Sequence, residues 1–329
     1  MRELLKSVLR ISGATAGVLI LIVGGFGLAV RQPNLGRIPF PAGPRADPAT
    51  LQRHVDYLCT QAFPRNPTAP ERLSLAADYI KAAFSSTGAD VTEQSYEAFR
   101  KPFRNIIARF GPAQGRLVLV GAHYDVYGEL PGADDNASGV AGLLELSRLL
   151  AARRLDSPVE LVAFSTEEPP YFGGPEMGSA VHAGSIQAAG VHVKAMIGLE
   201  MIGFFSPTQP YTTLPLYLVY PGTGDFITIA GRWADRSLAR DFKRCFRGAT
   251  PVPALSYSGP VGIGADLSDH RNYWAAGYPA IMVTDTAFMR NSNYHTDHDL
   301  PSTLDFDRMA GVVDGVLSGV VHLTKADVP

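Results

Sequence analysis

Cysteine is scarce in this sequence. Of 329 residues, only Cys59 and Cys245 carry a thiol. Neither belongs to a C-x-x-C pair, which excludes a zinc finger and a dithiol redox motif. The simpler reading is two buried thiols; the other is a single disulfide, if the domain lies outside the cytoplasm. A surplus of positive charge is also missing. With 29 Lys and Arg against 31 Asp and Glu, the formal net charge is −2. Nothing here neutralises a phosphate backbone, so nucleic acid is not expected as a partner. There is no internal repeat and no low-complexity tract.

What is present points to a globular α/β enzyme. Hydrophobic residues make up 46% of the chain, enough for a large core, and 33 Gly with 25 Pro suit many loops rather than a helical bundle. One apolar run stands apart. Residues 11–30 (ISGATAGVLILIVGGFGLAV) hold no charge and follow the basic Arg2, Lys6 and Arg10. Twenty residues at helical rise span ~30 Å, the thickness of a bilayer core. The run ends in Leu28-Ala29-Val30-Arg31, a poor cleavage site, so an uncleaved transmembrane anchor is expected over residues 1–30 rather than a signal peptide. The basic flank places the N-terminus in the cytoplasm and the catalytic domain outside it, periplasmic or extracellular, although Arg31, Arg37 and Arg45 weaken the asymmetry. Residues 31–48 are Pro-rich and read as an extended linker, and 49–329 as the catalytic domain.

Within that domain, apolar periodicity predicts helices over 50–60, from Pro70 through Phe84, over 137–154, over 179–189 and from Asp305 to about Leu323. Short β-branched runs predict strands at 105–110, 117–120, 159–164, 195–199 and 281–284. The stretch 203–265 is read as a strand at Tyr217–Tyr220, a helix near Asp225–Arg240 and a Gly/Pro-rich segment at 251–264. The alternation implies a three-layer α/β/α fold with a mostly parallel mixed central sheet.

Ligands in such sheets bind beyond the carboxyl ends of the strands, and the polar clusters of this chain fall there. His123 leaves strand 117–120 two residues before Asp125; it is either a metal ligand or a satisfied structural histidine, with a carboxylate holding its second nitrogen in the first case. Asp134 and Asp135 open a helix, where carboxylates commonly cap, yet capping does not require two. Glu167 and Glu168 follow strand 159–164. Neighbours on extended chain point to opposite sides, so one can hold a metal while the other serves as general base; a solvated acidic turn is the alternative. Glu200 ends an apolar strand and needs a cation or solvent. Tyr294 and His295 precede the last helix. Asn136-Ala137-Ser138 fits a glycosylation pattern but is read as buried at the site. Two histidines and three carboxylates form an N/O donor set without thiolate, suited to a catalytic zinc, or to manganese or cobalt.

The segments GAHYD, PGADDNASG, STEEPPYF with MGS, IGLEMIG, SDH at 268–270 and YHTDHDLPSTLD resemble the M28 family of metallopeptidases, which includes zinc aminopeptidases and glutaminyl cyclases. The resemblance spans roughly residues 50–325. It implies a zinc exopeptidase fold, a peptide substrate and two zinc ions, or one. By it, Asp135 bridges the metals, Glu168 and His295 complete one site, and His123 and Glu200 the other. Glu167 resembles the general base and Tyr294 the oxyanion-stabilising tyrosine; Asp125 and Asp299 resemble orienting residues behind the ligands. Release of N-terminal residues is the implied activity, with water activated between the two zincs. A mononuclear glutaminyl-peptide cyclotransferase, a non-catalytic binding domain on the same fold and hydrolysis of a non-peptide amide are the rivals. Glu200 departs from the family pattern, standing where the best-known aminopeptidases carry Asp. Tyr171, Phe172, Phe204, Phe205 and Tyr257 are candidates for an apolar pocket or for core. His270, His298 and Asp269 lie either near the site or in ordinary loops. His182 and His192 are read as surface residues. The oligomeric state has no sequence signature here.

Overall fold

The computed structural model describes residues 15, 17, 21–40, 42–262 and 264–325. Most of the run 11–20 lies outside these residues. Residues 21–31 are helical. Among the described residues no helix is long and apolar enough to cross a membrane.

Eight strands form one sheet in the order β1-β2-β4-β3-β5-β8-β6-β7. They are β1 (Asp90–Ala98), β2 (Lys101–Phe110), β3 (Leu117–His123), β4 (Val159–Phe164), β5 (Val193–Glu200), β6 (Ile227–Arg232), β7 (Ala254–Gly259) and β8 (Ala280–Thr284). The central four, β4-β3-β5-β8, run parallel, and their side chains are almost entirely buried. That is why they read as mainly apolar runs rather than alternating ones, broken by Glu160 in β4 and Lys194 in β5. Antiparallel pairings flank them, β1 with β2 and β2 with β4 on one side, β6 with β8 on the other.

Helices α1 (Pro48–Thr60), α2 (Pro70–Ser86), α3 (Gly139–Ala151), α6 (Arg236–Ala249) and α8 (Phe306–Thr324) share the larger core on one face. Helices α4 (Gly178–Ala188) and α7 (His270–Ala275) cover the other. The short α5 (Leu214–Val219) lies outside both layers, beside a third apolar cluster. Helix starts follow the expected chemistry: Asp47 accepts from Thr50 N at 3.1 Å with Pro48 next in line, and Asp305 accepts from Arg308 N at 2.9 Å. On α8, Gly315 brings the backbone against Phe246; a methyl there would meet the ring at 2.3 Å.

Three expectations need correction, and one strand went unread. Tyr217–Tyr220 is not a strand; Leu214–Val219 is a helical turn, because among the described residues no strand pairs with it and Pro215 favours a helix start. The helix near Asp225–Arg240 is instead strand β6 followed by α6. Six residues with apolar side chains at Ile227, Ile229 and Ala230 are too few to carry a period that separates helix from strand, and pairing with β8 and β7 decides. The Gly/Pro-rich segment 251–264 contains β7. Strand β1 went unread because it is a polar strand at the edge of the sheet, paired with β2. Cys59 and Cys245 are both buried free thiols.

Candidate metal centre

The carboxyl ends of β3, β4 and β5 deliver His123, the Glu167–Glu168 pair and Glu200 to one place, and two loops bring Asp135 and His295 to meet them. Asp135 is shared. Its Oδ1 lies 3.3 Å from His123 Nε2 and its Oδ2 lies 3.1 Å from His295 Nε2. Glu200 Oε2 stands 3.5 Å from His123 Nε2, and Glu168 Oε1 stands 3.4 Å from His295 Nε2. Two triads result, His123–Asp135–Glu200 and Asp135–Glu168–His295, each with ligand atoms within 4.8 Å of one another. Glu167 Oε2 is 4.0 Å from His123 Nε2.

Two further aspartates set this geometry in the same way. Asp125 accepts from the backbone amides of Glu167 and Glu168, both at 3.1 Å, one on each carboxylate oxygen. Its Oδ1 also lies 3.5 Å from His123 Nδ1. Asp299 accepts from the amides of Asp134 and Asp135 at 2.9 and 3.1 Å. Each therefore fixes the backbone that carries a ligand carboxylate. Neither Asp134 nor Asp135 caps α3 with its side chain. Asp134 accepts from Gly203 N at 3.0 Å and from Asn291 Nδ2 at 2.9 Å, pinning two loops around the site.

Several participants escaped sequence reading. Asn136 is fully buried; its Nδ2 donates to Leu199 O at 2.8 Å and its Oδ1 accepts from Met201 N at 3.2 Å, locking the end of β5. Ser268 Oγ donates to Glu200 Oε2 at 2.7 Å. Tyr127 and Tyr294 both stack on the imidazole of His295, with ring centroids 4.2 and 3.8 Å from its own. The motif segments SDH and PGADDNASG contain Ser268 and Asn136 without singling either out, Asn136 being named as a glycosylation pattern, and Tyr127 carried no signal. Asp269 is buried beside the cluster, and His270 uses Nε2 to hold Ala265 O at 2.8 Å. His298 is in solvent. His182 is not a surface residue: α4 packs it inward, where Nδ1 meets Tyr273 Oη at 2.7 Å, and burial pushes its imidazole down to about 4. Of the five candidate aromatics only Tyr257 lines the apolar cavity of about 150 Å³ next to the site. Phe226, Met282, Phe288, Tyr294 and Glu200 also line it.

The electrostatics call for a cation. Burial raises Glu167 well above the usual carboxylate range, and Glu168 and Glu200 push it further against the pull of His123. Burial and Asp135 lift Glu168 to about 7. Burial disfavours a charged Asp135, yet the two imidazoles hold it below the ordinary range. Burial also opposes charge on His295, but Asp135 and Glu168 hold it up at about 9. The buried His123 Nε2, His295 Nε2 and Glu168 Oε1 have no hydrogen-bond partner among the described residues. Buried polar atoms left this way are rare. Converging imidazole nitrogens and carboxylates with their inner atoms unsatisfied fit divalent metal ions, and the donor set fits the zinc class.

Metal must therefore displace protons. An imidazole protonated up to about 9 and a carboxyl at about 7 have to be stripped before they can ligate. Affinity is expected to rise as pH climbs from about 6.5 to about 8.5, with protons released on binding. Calorimetric titration of the apo protein in buffers of different ionisation heat measures this; a pH-independent affinity would contradict it. Ser268→Ala should weaken the Glu200-side metal by about 10-fold or more, as loss of a partner behind a ligand does, while sparing the other; metal titration of the variant reads both sites.

The sequence model of Peptidase family M28 matches residues 105–320. The chain belongs to the M28 peptidase family. It is 44% identical to protein YfbL of Escherichia coli (strain K12), itself uncharacterized, over 84% of this chain and 89% of that one. It is 28% identical to leucine aminopeptidase 1 of Grosmannia clavigera, over 69% of this chain but only 56% of that longer protein. Among solved structures, the LapA aminopeptidase of Legionella pneumophila shares the fold with a TM-score of 0.66 at 18% identity, covering 88% of this chain and 79% of that one. The glutaminyl cyclase of Porphyromonas gingivalis does so with a TM-score of 0.64 at 23% identity, covering 84% and 98%.

Proposed function

We propose that this M28 protein is a dinuclear zinc aminopeptidase, releasing N-terminal residues from peptides. The observation that carries the reading is the splitting of Asp135, one oxygen toward each of two His–carboxylate pairs, with Glu167 alongside. His123, Asp135 and Glu200 would hold one zinc, and Asp135, Glu168 and His295 the other. When bound, the ions would supply Lewis acidity for the scissile carbonyl and acidify a water.

The chain's own residues divide the remaining work. Glu167 is fixed through its amide by Asp125. Its carboxylate takes the proton of the attacking water and returns it to the departing amine. Tyr294, held flat on His295, offers its phenol to the developing oxyanion. The adjoining apolar cavity suits an apolar N-terminal side chain, because Phe226, Tyr257, Met282 and Phe288 give it little polar wall. With residues 11–30 as a membrane span and their basic flank inside, the catalytic body faces away from the cytoplasm.

The two complete triads favour this reading over a mononuclear cyclase. Metal analysis of the purified protein with a panel of aminoacyl-nitroanilides tests it. Two zinc equivalents per chain and release of apolar residues are expected. One equivalent together with cyclisation of N-terminal glutamine peptides would replace it with the cyclotransferase.

A further inference from the structure

The exposed surface of α5 stands out as apolar and unused by the metal centre. Leu214, Tyr217 and Leu218 are 72, 51 and 64% exposed, and the sequence has no charged residue between Glu200 and Asp225. Soluble surfaces seldom leave such side chains together without a partner. Residue 216 faces the other way, into the cavity beside the site.

This surface adjoins the end of the apolar N-terminal run. A methyl on Gly27 would meet Val219 Cγ2 at 3.0 Å, so the two helices touch backbone to side chain. Arg31 Nη1 donates to Val219 O at 3.0 Å, and Phe26 packs edge-on against Trp233 at 6.4 Å between centroids. The junction is fastened rather than loose. The buried Lys243 donates to Arg31 O at 3.1 Å, Gln32 O at 2.6 Å and Ser256 Oγ at 2.8 Å, and Gln32 Nε2 donates to Arg236 O at 2.7 Å. Val30 is buried with Tyr220 and Phe226 in the same apolar cluster.

We propose that the outer face of α5 rests in the interfacial layer of a lipid bilayer, holding the catalytic body flat on the membrane. The proposal rests on residues 11–30 crossing that bilayer. If they do, Val30 and Arg31 mark the boundary of the hydrocarbon, and Gly27 lies only ~4.5 Å inside it at helical rise. A helix packed against Gly27 then sits at that boundary. Leu214 and Leu218 dip toward the acyl chains, while Tyr217 and Trp233 occupy the level where aromatic rings gather. A flexible tether could not impose this; the Lys243 latch does.

The full chain reconstituted in phosphatidylcholine–phosphatidylglycerol vesicles provides the test. Leu218→Cys accepts a thiol-reactive fluorophore selectively, because Cys59 and Cys245 are buried. Ser85→Cys on α2, which packs on β1 and β2 at the opposite edge of the sheet, is the control. Brominated lipids are expected to cut emission at 218 by about twofold or more, as for a probe within the outer acyl region, and to leave 85 unchanged. Leu214→Glu should restore most of the emission at 218, with an unchanged melting temperature showing an intact fold. A chain retained through alkaline carbonate extraction whose 218 probe is quenched no more than the 85 probe overturns the docking alone. Release by carbonate overturns the span, and the docking with it. Energy transfer between copies labelled at 218, without lipid quenching, assigns the face to a second copy and also overturns the proposal.

Discussion

Glu167→Gln is expected to lower kcat by about 10²–10⁴-fold, the usual worth of a positioned general base, or about 3–5 kcal/mol of barrier. Glutamine keeps the shape and the backbone amide that Asp125 holds, so the fold survives. It cannot take a proton. Glu167 belongs to neither triad, so zinc content should stay at the wild-type level. Paired metal analysis and steady-state kinetics separate loss of chemistry from loss of metal. A variant with near-wild-type turnover would remove Glu167 from its role.

Asp135→Asn should have the broadest effect on metal, because one residue serves both triads. The amide retains a neutral oxygen on one side only and loses the charge that draws both imidazoles. Metal affinity is expected to fall by about 10²-fold or more at both sites, and activity with it. Glu200→Gln should empty only the His123 side, and Glu168→Gln only the His295 side. Metal stoichiometry of the three variants checks the pattern. If Asp135→Asn kept two tightly bound ions, the bridging geometry would be wrong.

Comparison of particular elements shows where sequence reading succeeds. The central strands were legible because burial on both faces leaves mainly apolar runs, as in Leu161–Phe164 and Ala195–Leu199. The helices at Pro70 and Asp305 were legible because proline placement and side-chain capping are local chemistry. Segment 203–265 failed because its elements are short and take their identity from neighbours. Tyr217–Tyr220 has strand composition but, among the described residues, no strand to pair with, whereas Ile227–Arg232 has one in β8. His182 was misjudged because the burial of a small helix such as α4 depends on which face of the sheet receives it.

The sequence alone determined which chemistry is available. It set the N/O ligand types, their placement at strand ends, the acidic pair at Glu167–Glu168 and the uncharged run at 11–30, since residue type and local spacing are written along the chain. Only the tertiary structure decided how these parts meet: that Asp135 splits its two oxygens, that Asp125 and Asp299 each clamp a pair of amides, that Ser268 and Asn136 brace the Glu200 side, and that Val219 lies against Gly27. Those contacts join residues far apart in sequence, and their distances arise from sheet register and loop packing, which no local pattern encodes.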